Sequence, residues 1–485
     1  MGNIDLNCSL KQEMAAKAAE LVTLREERSE YRLELTLHAI CTDVESKEAE
    51  IVGAMTGGKG QWHQYVRQIV EREIRRSAAG RLWCPAYDEK ARSNQRMMVY
   101  TGSHWEQIES QQWKDFVGEC AERCGLKEAQ LMNHSFMKSL YEGAAFIFSK
   151  HRRQRVPPDE VWLNMSNGTL VVNKDGSVLL REHRKEDLFT YTLNYAYDPQ
   201  ATCVLWHGFI NRVLPSADTQ AVLAEFIGYT LMKTHELEKM LWLYGEGLNG
   251  KSVTLEMIEA LLGSENVSFL SLSDLTNDDV KRAGIEGKML NISHESGKDV
   301  NANVLKQLTS GEYVTVKHLY QDPRETNAYG KFSAAFNQLP RAEVTFGYFR
   351  RLIILPYMVT IPQDEIDRQL TQKLKQELPG ILNWVLAYLP AFMQRCSFTD
   401  SDECEKALDQ YRLQSDNVRL FVQEMCEASD GTTHGSEVFK AYQEYCQSSS
   451  LKAVGKQKFY DRMLSIGFAP VLYGHTKYFN LKLLS

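Results

Sequence analysis

The sequence predicts a multidomain α/β protein with a phosphate-loop core, a helical or mixed N-terminal region and a small winged-helix domain near its C-terminal end. Three patterns predict this class. Residues 239–262 run as an apolar strand, a glycine-rich loop and an amphipathic helix. Residues 161–183 alternate apolar and polar side chains around an Asp-Gly turn, which is typical of a β-hairpin. Residues 431–485 contain two helical periodicities followed by a second hairpin pattern.

The glycine-rich loop fits the pattern G-x-x-x-x-G-K-[ST], in which backbone N–H groups and a helix N-terminus bind phosphate. The apolar run 239–244 precedes it, and residues 253–262 continue as a helix that Gly263 ends. Lys251 is expected to reach the β- and γ-phosphates and Ser252 to ligate Mg²⁺. The predicted nucleotide-binding residues are Gly245, Glu246, Gly247, Leu248, Asn249, Gly250, Lys251, Ser252 and Val253.

Composition and charge are those of an ordinary globular protein, with 43% hydrophobic residues, 25% charged residues and a net charge of −7. No apolar run approaches the roughly 18 residues of a membrane span, and no secretory signal pattern is present. We therefore expect a cytoplasmic protein, in a bacterial host cytosol or at a viral replication site, with reduced cysteines. The negative charge does not exclude nucleic acid, because phosphate binding depends on local basic surface.

The patterns along the chain predict five segments. Residues 1–60 form a helical segment and linker, in which leucines at every second position after residue 31 indicate a strand and the glycine-rich stretch 53–60 indicates a flexible connection. Within this segment, residues 11–29 have helical periodicity. The remaining segments are a mixed α+β domain over 61–215, the ATPase core with its lid over 216–398, a connecting helix over 399–430 and the winged-helix-like domain over 431–485.

Three further apolar runs adjoin polar residues suited to triphosphate hydrolysis. Glu295 follows the first run and is placed to hold Mg²⁺ or to polarise water. Asn337 ends the second run and is placed to sense the γ-phosphate. Arg350 and Arg351 precede the third, where an arginine can stabilise transition-state charge, sometimes in a neighbouring subunit. The alternatives are a plain surface carboxylate, a turn residue and, for one arginine, a structural ion pair.

The order of these motifs resembles that of superfamily 3 helicases, specifically poxvirus D5-type NTPases and the helicase halves of satellite-phage and plasmid primase–helicases. The segments that carry the resemblance are NISHES, LKQLTSGEYVTVKHLYQ, FNQLPR, FRRLIILPY and ELPGILNWVLAYL, with NGTLVVNKDGSV and LNYAYDPQATCVLWHGFI upstream. Together they extend over roughly residues 90 to 485. The resemblance implies an AAA+-like ATPase core and a D5-type N-terminal domain.

The resemblance also implies catalytic roles. Glu295 corresponds to the Walker B acid, Asn337 to sensor 1, and Arg350 or Arg351 to a finger that acts across a ring interface. Arg351 is preferred because it abuts the strand that fixes its position. His294 departs from the family pattern, since many relatives carry a first acid there, so either Glu295 must serve both the metal and the water or His294 must help.

A DNA-tracking hairpin is implied between Lys317 and Lys331. Both lysines and His318 are therefore predicted to contact single-stranded DNA, although the lysines could be ordinary solvated side chains and His318 could pack on the sheet. Glu312 replaces the more usual Asp in this region, which is a conservative change. No carboxylate cluster of a primase is evident, so primase activity is not expected.

The last segment has the helix, helix, hairpin order of a winged-helix domain, with helices at 436–446 and 456–466. Basic residues on its second helix and on the wing are predicted to contact the DNA backbone. These residues are Lys456, Lys458, Arg462 and Lys477. The alternative is a winged helix that contacts protein or packs within a ring.

These observations together predict an ATP-dependent, ring-forming DNA helicase that replicates a phage, a virus or a mobile element. The expected cofactors are ATP and Mg²⁺. The expected partners are single-stranded DNA, replication-origin or fork DNA, further copies of the chain in a homohexamer, and optionally a separate primase. The resemblance suggests 3′ to 5′ translocation. Two alternatives remain, namely an ATP-switched origin-loading factor without processive unwinding and a DNA-linked regulatory or defence ATPase.

Overall fold

The computed structural model describes residues 32–56, 62–85, 96–150, 154–294, 300–319, 322–340, 345–449, 451, 453–474 and 476–484. The chain divides into two compact units. The first comprises Met1–Val171 with Val178–Tyr197, and the second comprises Val172–Ser177 with Asp198–Ser485. The helix predicted at 11–29 lies outside the described residues. Nine cysteines fall in the described ranges, and all nine are free thiols.

The first unit combines a helical core with two small sheets. Its helices are α1 over residues 32–42, α2 Glu48–Thr56, α3 Trp62–Ala78, α4 Ser110–Arg123, α5 Glu128–Leu131 and α6 His134–Ile147. Its strands are β1 Leu82–Trp83, β2 Met97–Tyr100, β3 Trp105–Ile108, β4 Glu160–Met165, β5 Gly168–Asn173 and β6 Val178–Arg181. Strands β1, β2 and β3 form an antiparallel sheet, and β4, β5 and β6 lie side by side in chain order.

Helix α1 stands where the leucine pattern predicted a strand. Leu33 and Leu37 are buried with Ile40 and Cys41, whereas Leu35 is exposed. Residues four apart lie on one helix face, so the two buried leucines belong to a helical stripe and not to a period-two strand face. Residues 53–56 likewise belong to α2 and not to a linker, and 57–60 lie outside the described residues.

The second unit is built on a parallel sheet. Its strands are β7 Met240–Tyr244, β8 Val267–Ser268, β9 Leu290–His294, β12 Lys331–Phe336 and β13 Leu352–Pro356. They are ordered β13-β7-β12-β9-β8, and each adjacent pair is parallel. Strands β7 and β13 are continuous apolar runs, as is typical of parallel strands covered by helices on both sheet faces. A separate antiparallel hairpin consists of β10 Val314–Val316 and β11 Arg324–Thr326.

Helices surround this sheet. They are α7 Val204–Val213, α8 Ala217–Leu231, α9 Lys251–Leu262, α10 Leu272–Asn277, α11 Asp279–Arg282, α12 Ala302–Thr309, α13 Phe346–Phe349, α14 Leu370–Leu374, α15 Leu378–Arg395 and α16 Asp402–Ser415. A polar side chain, Asn301, begins α12 by accepting from two backbone N–H groups. Gly263, at φ +81°, ends α9 as the sequence predicted.

The last part of the chain has its own hydrophobic core. Its elements are α17 Asn417–Met425, β14 Cys426–His434, α18 Gly435–Ser448, α19 Lys456–Ser465, β15 Val471–Tyr473 and β16 Thr476–Leu483. The sheet is antiparallel with the order β14-β16-β15. The core begins at Val418, within the stretch that the sequence predicted as a connecting helix. None of the helices in the described ranges has both the length and the apolar composition that crossing a bilayer requires.

Candidate nucleotide-binding site

The parallel sheet brings the ends of three predicted motifs to one edge. The glycine loop follows β7, Asn337 follows β12, and His294 ends β9, with β12 between the other two strands. Parallel strands present their carboxyl ends at the same edge, where α/β proteins bind ligands. Glu295 is the next residue after β9, and it lies outside the described residues.

Two glycines of the loop stand where a side chain would collide with its surroundings. A Cβ on Gly245 would lie 2.2 Å from the Tyr357 carbonyl oxygen. A Cβ on Gly250 would lie 2.8 Å from Val213 Cγ1, and the φ of Gly250, +88°, is in the left-handed region. The loop therefore needs glycine at both positions to pass this close to its neighbours.

Lys251 is held inside the loop. Its ammonium donates to the Gly245 carbonyl at 2.5 Å and to Asn249 Oδ1 at 3.0 Å, and Asn249 in turn donates to the Tyr357 carbonyl at 2.9 Å. Burial lowers the pKa of Lys251, because the ammonium has lost water and gained only uncharged oxygens. A phosphate would supply anionic oxygens in their place. Ser252 is exposed in the first turn of α9, where its hydroxyl is accessible to a cation.

A cavity of about 650 Å³ adjoins the loop. One wall is the face of α7, including Val204 and Phe209, and another is the segment 361–370, including Ile361. Asn337 also lines it. The apolar walls suit a nucleobase, and the volume is within the range of small-molecule sites. The residues therefore fit a nucleoside triphosphate whose phosphates lie on the loop.

Two carboxylates fix these walls. Arg212 of α7 forms an ion pair with Glu365 in the facing segment. Glu377 accepts from the backbone N–H groups of Leu205 and Trp206 at 3.1 and 3.0 Å, and so caps α7 from a distant part of the chain. Neither carboxylate could be predicted from the sequence, because neither belongs to a motif and both have their partners more than 150 residues away.

Arg350 and Arg351 lie at the amino ends of the parallel strands, whereas the glycine loop lies at their carboxyl ends. β13 pairs with β7 in parallel, so that Leu352 faces Met240 and Pro356 faces Tyr244. The arginines precede Leu352, whereas the loop follows Tyr244. At about 3.3 Å per residue, the four steps of β7 separate the two edges by about 13 Å before the loop begins. Neither arginine is thus placed to reach the loop of its own chain.

The two arginines differ in how firmly they are held. The Arg351 side chain is 10% exposed; its guanidinium donates to the Gly347 carbonyl at 2.6 Å and to Ser310 Oγ at 2.8 Å, and it pairs with Glu238 at 3.2 Å. Arg350 is 42% exposed, and its partner among the described residues is the same carboxylate. The exposure of Arg350 favours it over Arg351 for a contact with a neighbouring copy, because the Arg351 guanidinium is buried and bound by Gly347, Ser310 and Glu238.

The carboxylate of Glu238 joins these groups. Burial alone would raise its pKa, but the Ser310 hydroxyl and the two guanidinium groups stabilise the ionised form, and the net pKa is lowered. Lys239 donates to the Arg350 carbonyl at 2.7 Å and fixes the backbone of the pair. If Arg350 moves away, the Glu238 carboxylate still has an ion-pair partner, because Arg351 remains in place.

The predicted hairpin exists as β10 and β11. Lys317 is exposed directly after β10, and its backbone N–H is anchored to the Asp279 carbonyl at 2.9 Å. His318 Nε2 lies 2.6 Å from Glu286 Oε2, which also pairs with Arg324 at 2.7 Å. His318 is therefore tied to a carboxylate at the base of the hairpin. The next two residues, 320 and 321, lie outside the described residues.

Lys331 does not have the exposure that a DNA contact needs. It is 3% exposed at the start of β12, its ammonium donates to the Met232 carbonyl at 2.6 Å, and it lies 4.6 Å from the centre of the Tyr229 ring. Burial lowers its pKa to about 7. The prediction that it contacts DNA is wrong for this conformation, because a polar residue at a strand start was read as a loop residue.

The basic residues of the C-terminal part of the chain also differ in their exposure. Arg462 is 14% exposed on its side chain, 3.5 Å from Asp416, the residue that begins α17, so it is structural. Lys458 is exposed on α19. Lys456 and Lys477 lie 5.8 and 4.9 Å from the centre of the Tyr460 ring, which places one cation from the helix and one from the hairpin over the same aromatic side chain.

The sequence predicts Ser252 and Glu295 as Mg²⁺ ligands. Within the described ranges, no group of three or more His, Cys, Asp or Glu side chains could hold a metal ion. A magnesium–nucleotide complex does not need such a group, because phosphate and water supply most ligands. Ser252 fits one protein ligand, and the second predicted ligand, Glu295, lies outside the described residues.

Two protein families match parts of the chain. The family described as D5 N terminal like matches residues 85–215. A family of unknown function, DUF5906, matches residues 243–351 and so contains the glycine loop, the Glu295 region, Asn337 and both arginines. The first match falls on the region where the sequence predicted a D5-type domain.

Viral proteins are among the relatives. "Putative helicase L207/L206" of Acanthamoeba polyphaga mimivirus is 20% identical over 65% of this chain, and "Putative helicase 022R" of Frog virus 3 is 24% identical over 55%. "Putative primase C962R" of African swine fever virus is 22% identical over 46%. The matches cover 36%, 30% and 25% of these relatives, so the chain spans about a third or less of the length of the curated relatives it matches.

A solved apo structure of the NrS-1 C-terminal region is also similar, with 10% identity, 82% of this chain and 95% of the other covered, and a TM-score of 0.44. A likeness this weak carries no argument. The D5 N-terminal match and the viral helicase and primase relatives do carry one. They confirm, at low identity, the resemblance to D5-type primase–helicases.

Proposed function

We propose that the chain is an ATP-dependent, ring-forming DNA helicase for the replication of a phage, a virus or a mobile element. One observation carries the proposal, namely a glycine loop with a buried lysine at the carboxyl edge of a parallel sheet, beside a cavity of about 650 Å³. The viral relatives, which are named as helicases and a primase, suggest a replication role. Members of this class would work as hexamers on single-stranded DNA, with 3′ to 5′ polarity.

In the proposed reaction, the nucleobase lies against the apolar walls at Val204, Phe209 and Ile361, and the phosphates lie on the loop. Lys251 exchanges the Gly245 and Asn249 oxygens for phosphate oxygens, so it gains an anionic partner without leaving its buried position. Mg²⁺, when bound by Ser252 and Glu295, would neutralise phosphate charge.

Hydrolysis needs an activated water and a counter-charge for the transition state. Glu295 would take the proton from the attacking water, and Asn337, which lines the cavity, would orient that water. The guanidinium would come from Arg350 of the next copy in the ring, because the edge that carries it faces away from the chain's own loop. Each active site would then be shared by two subunits, which is the reason for a ring.

DNA contacts would come from two surfaces. Lys317 is exposed at the end of β10 and would face a central channel, while Lys456, Lys458 and Lys477 would contact DNA phosphates from the winged-helix-like part. The element order α17, β14, α18, α19, β15, β16 supports the winged-helix assignment. Lys331 and Arg462 are not included, since each is committed to contacts within the fold.

The test is ATP turnover by the purified chain with and without single-stranded DNA, followed by displacement of a labelled strand from a forked duplex. The helicase requires stimulation and displacement, and both must be lost in Lys251→Ala. Duplex-origin binding without displacement would support the loading factor instead. Turnover that is indifferent to DNA would support a regulatory or defence ATPase.

A further inference from the structure

The first unit contains a second cavity, of about 500 Å³, that the proposed function does not use. It lies between the face of α1, the turn before β1, the end of β2 and the turn after β6. Three cations line it, namely Arg32, Arg81 and Lys185, and its lining residues include no carboxylate. Cations gathered in a concave site without counter-charge attract an anion.

Carboxylates lie near this cavity: burial raises the pKa of the lining residue Tyr100, and the charges of Asp187 and Glu186 raise it further. Asp187 is buried and forms a two-bond pair with Arg181, at 2.7 and 2.9 Å, so it does not neutralise Lys185. Asp43 lies 3.3 Å from Arg81, but it is exposed, and a pair of this kind in water is weak. Among the described residues, the Arg32 side chain has no ion-pair partner.

The cavity is held in shape by a strained turn. Ala79 and Gly80 both have positive φ, +48° and +78°, and the Ala79 carbonyl accepts from Lys185 Nζ at 3.2 Å. A Cβ on Gly80 would lie 3.0 Å from that Nζ, so the lysine is in close contact with the turn. Left-handed non-glycine residues are costly and cluster at functional sites.

Neutral and apolar groups complete the site. The Tyr100 hydroxyl donates to the Gly102 carbonyl at 2.9 Å, which fixes its ring in the lining, and Leu35 is exposed beside it on α1. Burial, together with the nearby Arg32 charge, lowers the pKa of His104 to about 4, so this imidazole is neutral. His104 therefore adds no positive charge beside Arg32.

We propose that this cavity binds phosphate esters, with the two guanidinium groups and the Lys185 ammonium on the phosphate oxygens and the sugar or base against Leu35 and Tyr100. Guanidinium forks match phosphate geometry, and the volume accommodates a nucleotide-sized group. The ester could be a residue of a single strand of nucleic acid or a free nucleotide. The inference does not depend on nucleotide turnover at the glycine loop.

The experiment uses the full chain with two probes, a fluorescein-labelled oligothymidylate and ATP. Arg32→Ala and Lys185→Gln each remove one cation and leave the Asp187 pair intact. Arg155→Ala and Lys114→Gln are the matched controls, since both residues are exposed in the same unit and do not line the cavity. All four variants should keep the parental rate of ATP hydrolysis without DNA.

For a nucleic-acid ligand, each cavity variant should bind the oligothymidylate roughly ten-fold more weakly, as expected for one lost charged hydrogen bond. The slope of log affinity against log salt should fall by about 0.7 per lost contact. Oligothymidylate should also protect the backbone amides of residues 79–81 and 99–102 from hydrogen exchange, and the cavity variants should remove that protection.

For a free nucleotide, ATP should give this protection instead, again lost in the cavity variants, while oligothymidylate affinity stays unchanged. If neither probe protects these segments in a way that Arg32 and Lys185 control, the cavity is not a phosphate-ester site. A failure of ATP hydrolysis in the parent would overturn the proposed helicase and would leave this binding test readable.

Discussion

Replacing Arg350 with alanine should leave ATP binding intact and reduce its hydrolysis by about 10³-fold or more, the usual contribution of an arginine finger. The side chain is 42% exposed and pairs with Glu238, which keeps Arg351 as a partner when Arg350 is removed. We therefore expect no loss of folding stability beyond that of a surface ion pair. Arg419→Ala, at another exposed arginine, is the matched control and should hydrolyse ATP normally.

The sheet geometry predicts how this defect can be repaired. Arg350 lies at the edge opposite the glycine loop, so a ring should accept the lysine of one subunit and the arginine of the next. Arg350→Ala and Lys251→Ala chains are mixed equally before assembly. At each interface the subunit that supplies the lysine has it intact with a probability of one half, and so does the neighbour that supplies the arginine. About a quarter of the interfaces, and so about a quarter of parental turnover, should be restored.

Turnover is measured by phosphate release across mixing ratios, and it should peak at the equal mixture. No rescue at any ratio would refute an arginine acting between subunits. Arg351→Ala provides the contrast, because it removes buried hydrogen bonds to Gly347 and Ser310. It should lower the thermal midpoint, and mixing should not restore that loss.

Three further substitutions test other parts of the site and the fold. Glu295→Gln should still bind ATP, as measured with a fluorescent analogue, but should hydrolyse it very slowly. Normal turnover would show that another carboxylate activates the attacking water. Gly250→Ala should weaken ATP binding at least about ten-fold, because a left-handed residue costs about 1–2 kcal/mol and the new Cβ meets Val213, whereas Gly118→Ala in α4, with open space around it, should be tolerated. For Lys331, burial lowers the pKa from 10.5 to about 7, so between these pH values the unfolded chain holds a proton that the folded chain lacks, and stability should rise with pH. Urea midpoints of the parent should therefore rise relative to those of Lys331→Met from pH 7 to 10, and parallel pH profiles would show that Lys331 titrates normally.

Local patterns predicted the strands around the site because each strand is short, apolar and next to a motif. Met240–Tyr244 and Leu352–Pro356 appear within a residue or two of their expected positions. The α1 leucines were misread for a related reason. Three leucines at alternate positions fit a strand, and only the burial of Ile40 and Cys41 further along shows that the stripe has helical spacing.

The features of the site that the sequence did not predict depend on contacts between residues far apart in the chain. The sheet order sets which motif ends meet, and it depends on contacts between strands that are far apart in the chain. The choice between Arg350 and Arg351 is set by Ser310 and Glu238, neither of which is near them in sequence. The same holds for Glu377, whose carboxylate caps α7 and thereby shapes the cavity wall.

The placement of the arginine and the loop also constrains the assembly. In a two-fold dimer the contacts are reciprocal, so one interface would have to bring the Arg350 edge of each copy to the Lys251 edge of the other. A head-to-tail contact needs only the Arg350 edge of one copy and the Lys251 edge of the next, which lie at opposite edges of the sheet. Head-to-tail contacts either close into a ring or continue as a filament, and until a ring closes the end subunits each lack one partner. If the proposed reaction is correct, turnover per chain should therefore rise with protein concentration as open ends disappear and should become constant once rings close. Turnover per chain that is constant from the lowest concentration, where particle mass shows monomers, would place the complete catalytic site within one subunit.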